Sequence, residues 1–137
     1  MATAENKEIV RRLYEDAINN HNLDALDRYI LADYVNHKNP GGLEGVKQMF
    51  SMLFEAFPDL RFSVDSIGAD GDRVWARTTM RGTHQGPFMG MAPTGKTFAV
   101  ATVNEGRIEN GKLAEEWGVT DTLAMWQQLG LMPQATS

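Results

Sequence analysis

A chain of 137 residues has the length for one hydrophobic core, and residues 1–137 read as a single domain. Hydrophobic residues at 42% and charged residues at 23% fit a globular protein and speak against an intrinsically disordered one. A net charge of −5 with no basic stripe argues against a nucleic-acid partner, and the lack of cysteine removes disulfides, thiolate nucleophiles and cysteine-ligated metals.

From Glu5 to Asn19 the apolar residues Ile9, Val10, Leu13, Tyr14, Ala17 and Ile18 recur at helical spacing, with Thr3 as the expected cap. His21-Asn22 interrupts this helix, and Asn22 can cap a shorter one through Leu23, Leu26, Tyr29 and Ile30. A third helix is expected from Leu43 to Phe57, stopped by Pro58, because the residue before a proline leaves the α region. Strands follow. Leu60 to Gly68 alternates apolar and polar residues, Asp70-Gly71-Asp72 turns the chain, and Arg73 to His84 alternates again. One face of that second strand carries Val74, Ala76, Thr78 and Met80; the other carries Arg73, Trp75, Arg77, Thr79 and Arg81. Gly86 to Gly95 is too rich in glycine and proline for regular structure. Lys96 to Ile108 and Leu113 to Thr120 form a hairpin around Asn110-Gly111, and a last helix from Thr122 is closed by Gly130 and Pro133.

Helices first, then a long antiparallel meander, then one helix is an α+β order rather than a parallel α/β one. A bent sheet of this kind can cup the helices and leave a pocket between them. No apolar run reaches spanning length and Met1 to Lys7 is too polar for a signal peptide, so no membrane partner and a cytoplasmic location are expected.

The chemistry such a pocket can do is narrowed by what is missing. Ser51, Ser63 and Ser66 stand outside any nucleophile elbow, and His21, His37 and His84 lack the spacing of metal ligands, so no metal is expected. Neither a Rossmann fingerprint nor a phosphate-cradling loop is present. General acid–base chemistry remains. Asp121 follows Trp117 by four residues, on a face shared with Leu113 and Val119, where apolar neighbours would raise its pKa and improve it as a base. Equally, Asp121 precedes Thr122 and can simply cap the last helix. His37, in an extended piece ending at Pro40, is a substrate contact, a proton shuttle or an ordinary loop residue. Asn104 is the amide that follows the apolar run Val100 to Val103 and is either a pocket donor or a bulge residue; Tyr14 lies on the apolar face of the first helix. Phe88, Met89 and Met91 in the glycine-proline loop are expected to form a mobile rim over the substrate.

Tyr34-Val35-Asn36-His37-Lys38-Asn39-Pro40-Gly41-Gly42, Phe57-Pro58-Asp59-Leu60, Gly71-Asp72-Arg73-Val74, Gly82-Thr83-His84, Pro93-Thr94-Gly95 and Gly111-Lys112-Leu113-Ala114-Glu115-Glu116-Trp117, followed by Asp121, resemble the SnoaL-like polyketide cyclase family. The resemblance covers nearly the whole chain. It implies the cone-shaped α+β barrel of the ketosteroid-isomerase and nuclear-transport-factor type, and ring closure of an aromatic polyketide ester by intramolecular aldol condensation with neither metal nor organic cofactor. It implies the acid–base role for Asp121 and a pocket-facing position for His37, which we take as the second candidate catalytic group. It also implies a pocket in which Asn104 and Trp117 face the substrate, and we extend the expected contacts to Tyr14, Phe54, Thr78, Met80, Phe88 and Met91. Three positions depart from the family pattern: Thr78 stands where tryptophan or another bulky residue is frequent, the tryptophan being Trp75 on the opposite face, and Glu116 and Gly118 stand where histidine and aspartate are frequent. The alternatives to a cyclase are a ketosteroid-type isomerase and a non-catalytic ligand-binding domain. Trp75 among Arg73, Arg77 and Arg81 resembles an interface core, so a homodimer or homotetramer is expected.

Overall fold

The computed structural model describes residues 2–131; Pro133, expected to help close the last helix, lies outside the described residues. Helix α1 (Ala2–Arg12) runs into a π-helical turn, Leu13–Ile18, and then a 3-10 helix, Leu23–Arg28. Thr3 lies within α1 rather than capping it. Asn22 caps the 3-10 helix as expected, its side chain accepting from the Ala25 amide at 3.3 Å. Helix α2 (Gly42–Ala56) ends at Phe57, whose backbone (φ −129°, ψ 81°) has left the α region ahead of Pro58. Strands β2 (Arg61–Asp70), β3 (Arg73–Thr83), β4 (Thr97–Glu109) and β5 (Lys112–Thr120) form the meander, and α3 (Thr122–Leu129) follows.

One strand was not expected. Ile30–Asn36, whose start the helical spacing assigns to the second helix, forms β1 and completes a five-stranded sheet in the order β1-β5-β4-β3-β2. β1 runs parallel to β5, so the sheet is not wholly antiparallel. At the β4–β5 turn both Asn110 (φ 52°) and Gly111 (φ 77°) are left-handed, as a two-residue hairpin turn requires.

Two bulges curve the sheet. Val64 opposes Thr78 while Ser66 opposes Arg77, which leaves Asp65 as an extra residue on β2. Arg107 opposes Glu115 while Ile108 opposes Leu113, which leaves Ala114 as an extra residue on β5. Each extra residue bends its strand and increases the local twist. The concave face receives α1, the π-helical turn and α2, with Phe57, Leu26, Leu60, Leu113 and Leu129 among the fully buried side chains. On β3 the face carrying Val74, Ala76, Thr78 and Met80 is buried, and Trp75 points outward, as the alternation predicted. No helix among the described residues is long and apolar enough to cross a membrane.

Candidate functional site

Between the concave face and the helices lies a cavity of about 380 Å³, within the range of small-molecule sites. Its walls are mostly apolar: Leu13 and Ile18 from the π-helical turn, Val46, Met49 and Phe50 from α2, Phe62 and Met80 from the sheet, and Met125 and Trp126 from α3. The polar lining gathers on the β1-β5-β4 side, where Asn36, Lys38, Glu116, Thr120, Thr102 and Asn104 meet.

Register explains this gathering. Asn36 pairs with Glu116 across β1 and β5, Asn104 pairs with Gly118, and Thr102 pairs with Thr120. Paired residues share a face, so these side chains converge on the cavity together. Tyr34 donates its hydroxyl to Glu116 Oε1 at 3.3 Å, while Asn36 Nδ2 donates to the Tyr34 hydroxyl at 2.6 Å and to the same carboxylate oxygen at 3.4 Å. Asn104 Nδ2 donates to the Tyr14 hydroxyl at 2.8 Å. Gly118 makes room for this: a Cβ there would stand 2.1 Å from Asn104 Oδ1 and 3.7 Å from the Lys38 stem. Asn36 Oδ1 accepts the amides of Lys38 and Asn39, both at 2.8 Å, and the turn so formed carries Lys38 to the cavity mouth, where its ammonium donates to the Thr120 hydroxyl.

Burial sets the electrostatics. Glu116 is pushed up to about 7, chiefly by desolvation, against the pull of the Tyr34 hydrogen bond and the Lys38 charge. Desolvation, with the negative charge of Glu116 behind it, pushes the Tyr14 and Tyr34 phenols up as well, so both remain hydrogen-bond donors at any ordinary pH. Desolvation pulls Lys38 down, with Glu116 opposing. The site therefore holds a carboxyl group raised by burial to about 7, a lysine at the rim and two neutral phenols.

Four expected substrate contacts line the cavity: Tyr14, Met80, Phe88 and Asn104. Thr78 lies behind the wall, fully buried, sharing a hydrogen bond with the Thr102 hydroxyl that does line it. Phe54 turns aside to stack on the His21 ring, with centroids 3.9 Å apart. Met91 is 40% exposed, and its backbone pairs with that of Phe88. Phe88 is no free rim residue, because it packs against Phe57 at 5.1 Å and Trp126 at 6.0 Å.

His37, Trp117 and Asp121 stand outside the cavity. His37 and Trp117 stack on each other at 4.7 Å on the convex face of the sheet, where His37 Nε2 bonds Glu115 Oε2 at 2.6 Å and the Arg73 guanidinium lies over the indole. Glu115 is held below its ordinary value by the His37 hydrogen bond and then by Arg107. Asp121 is exposed, and its Oδ1 accepts the Ala124 amide at 3.1 Å as the cap of α3. Of the two roles its position allowed, the geometry is that of the cap. The reason is the bulge at Ala114. Leu113 does face the core, but the extra residue shifts the alternation, so Glu116, Gly118 and Thr120 point inward and Trp117 and Val119 outward. Sequence reasoning missed Glu116 and Lys38. The two consecutive apolar residues Leu113 and Ala114 break the period-2 pattern, and that break was the available signal. Among the described residues no three metal-ligating side chains cluster.

Comparison with known proteins agrees with this architecture. A model of the SnoaL-like polyketide cyclase family matches residues 8–129. Aklanonic acid methyl ester cyclase AcmA of Streptomyces galilaeus is 32% identical over 130 residues, 88% of either chain. The solved structure of AclR from Streptomyces galilaeus, named as a candidate hydroxylase, superposes with a TM-score of 0.85 at 32% identity, covering 96% of this chain and 99% of that one. IdmH from Streptomyces antibioticus, named as a candidate polyketide cyclase, superposes with a TM-score of 0.82 at 32% identity, covering 91% and 98%. Because the family match runs from α1 into α3, through the elements that wall the cavity, the chain belongs to the SnoaL-like polyketide cyclase family.

Proposed function

We propose that the protein closes a ring in a polycyclic or polyketide-like carbonyl compound by intramolecular aldol condensation, with Glu116 rather than Asp121 moving the proton. The observation that supports this reading is a carboxylate on the wall of an apolar cavity, raised by burial to about 7. A group with that value serves at neutral pH both as the base and, once protonated, as the acid. Glu116 would take the proton from a carbon already acidified by flanking carbonyls. The enolate carbon then attacks the second carbonyl, a C–C bond forms, and the proton returns to the new alkoxide. Nothing is lost, so product and substrate have the same mass. The substrate's own conjugation carries the enolate, and the scheme calls on no cofactor. Asn104 and Tyr14 supply neutral hydrogen-bonding groups on the same wall.

Aklanonic acid methyl ester, the compound in AcmA's name, is the first substrate to test, followed by other aromatic polyketide esters. The expected result is a product of unchanged mass with a new ring, made by the wild type and lost in Glu116→Gln. A product differing only in double-bond position would make the protein an isomerase. A ligand retained but recovered unchanged from every trial would make it a binding domain. The reading extends to a homodimer or homotetramer built on the convex face, where Trp75 (40% exposed), Val103 (47%) and Val119 (71%) lie uncovered.

A further inference from the structure

We infer that Lys38 is the subsite for an anionic oxygen of the substrate, so that the cavity takes a flat apolar molecule bearing an enolate, phenolate or carboxylate and seats that oxygen on the Lys38 ammonium. This rests on the cavity being the substrate site, but not on Glu116 being the base.

Among the described residues the cavity lining contains one cation, Lys38, and one carboxylate, Glu116. In a chain of net charge −5, that lysine is the lining group able to attract an anion. Its position is built rather than incidental. The Asn36 side chain holds the backbone of Lys38 in its turn, its Oδ1 accepting the Lys38 and Asn39 amides, both at 2.8 Å. Thr120 takes one ammonium hydrogen. An ammonium has three donors, so two remain for a ligand. Among the described residues Lys38 enters no ion pair, unlike Lys47 with Asp27 or Arg73 with Glu105.

The geometry also orients the ligand. The deep wall of Leu13, Phe50, Phe62, Met80 and Met125 is apolar, whereas Lys38 is exposed at the mouth. An apolar ring system therefore enters first and its charged oxygen stays at the rim. An enolate oxygen seated there lies on the same polar side as Glu116, where proton removal would create it. Lys38 would then favour the ionised form as the base withdraws the proton.

The test uses probes that need no turnover. Binding of 2-anthracenecarboxylate is compared with that of its uncharged carboxamide, and alizarin reports ionisation of a phenol by its colour. In the wild type the carboxylate binds better than the carboxamide, and bound alizarin ionises at lower pH than free alizarin. Lys38→Met should weaken the carboxylate about tenfold, the weight of one charge-assisted hydrogen bond, leave the carboxamide nearly unchanged and raise the alizarin transition. Lys38→Arg should keep the preference. A loss for the carboxylate with the alizarin transition unmoved identifies a carboxylate rather than a phenolate as the oxygen the subsite takes. Equal loss for charged and neutral probes, no loss for either, or failure of the wild type to bind the carboxylate would overturn the assignment. Glu116→Gln should keep or strengthen the carboxylate preference, because it removes a neighbouring negative charge. Loss of turnover in Glu116→Gln with no charge preference at Lys38 would leave the base standing and sink the subsite; the converse would do the reverse.

Discussion

Replacing Glu116 by glutamine should stabilise the fold above neutral pH and leave it unchanged in acid. The ordinary value of this carboxyl is 4.5, and burial pushes it up to about 7. Between those values the folded protein keeps a proton that the unfolded chain has released. Stability therefore falls as pH rises through this window, and the loss is complete above it. A shift from 4.5 to about 7, at roughly 1.4 kcal/mol per pH unit, sets a ceiling of about 3 kcal/mol. Glutamine keeps the shape of the side chain and an oxygen for the Tyr34 hydroxyl, now 3.3 Å away, but carries no charge. Urea denaturation of both proteins from pH 4 to pH 8 measures the difference directly, and other titrating groups cancel in it. The variant's advantage should grow from near zero at pH 4 to roughly 1–3 kcal/mol at pH 8. A difference that does not change with pH, or a wild type more stable at pH 8, would refute the desolvated carboxylate and with it the argument for its basicity.

Asp121→Asn should leave stability unchanged and Asp121→Ala should lose roughly 0.5–2 kcal/mol, since asparagine caps a helix as well as aspartate does and alanine does not; thermal or chemical unfolding reads this. Phe88→Ala should weaken ligand binding and also lower the melting temperature, because Phe88 packs between Phe57 and Trp126. A half-buried phenylalanine should cost less than the roughly 3–5 kcal/mol of a core one, and an unchanged melting temperature would make Phe88 a free rim after all. Light scattering should give a mass at least twice that of one chain; a monomer mass at every concentration would remove the role proposed for Trp75, Val103 and Val119.

The fold was legible wherever one local rule governed the residues. Pro58 ended α2, Asn22 capped the 3-10 helix, Asn110-Gly111 turned the β4–β5 hairpin, and strict alternation sorted both faces of β3. β1 escaped because Ile30–Asn36 contributes only Ile30 and Tyr34 to the core, and its pairing with β5 is parallel and distant in sequence. The candidate site escaped for a related reason. Counting by twos from Leu113 placed Trp117 and Asp121 inside, whereas the bulge at Ala114 reverses the face beyond it. Asn104 and Tyr14 line the cavity where the sequence allows them to, because an amide after an apolar strand and a tyrosine on an apolar helix face do not depend on that count. Glu116 and Lys38 depend on it wholly, or on the turn that Asn36 builds.

Turnover of Glu116→Gln and Asp121→Asn, measured side by side on one cyclisation substrate, tests the central claim most directly. Both variants keep the shape of the residue they replace, and neither can take a proton. With Glu116 as the acid–base group, Glu116→Gln should lose roughly 10²- to 10⁴-fold in kcat, while Asp121→Asn should turn over as the wild type does. Full activity in a folded Glu116→Gln protein, with Asp121→Asn inactive, would contradict the account and return the chemistry to the helix cap.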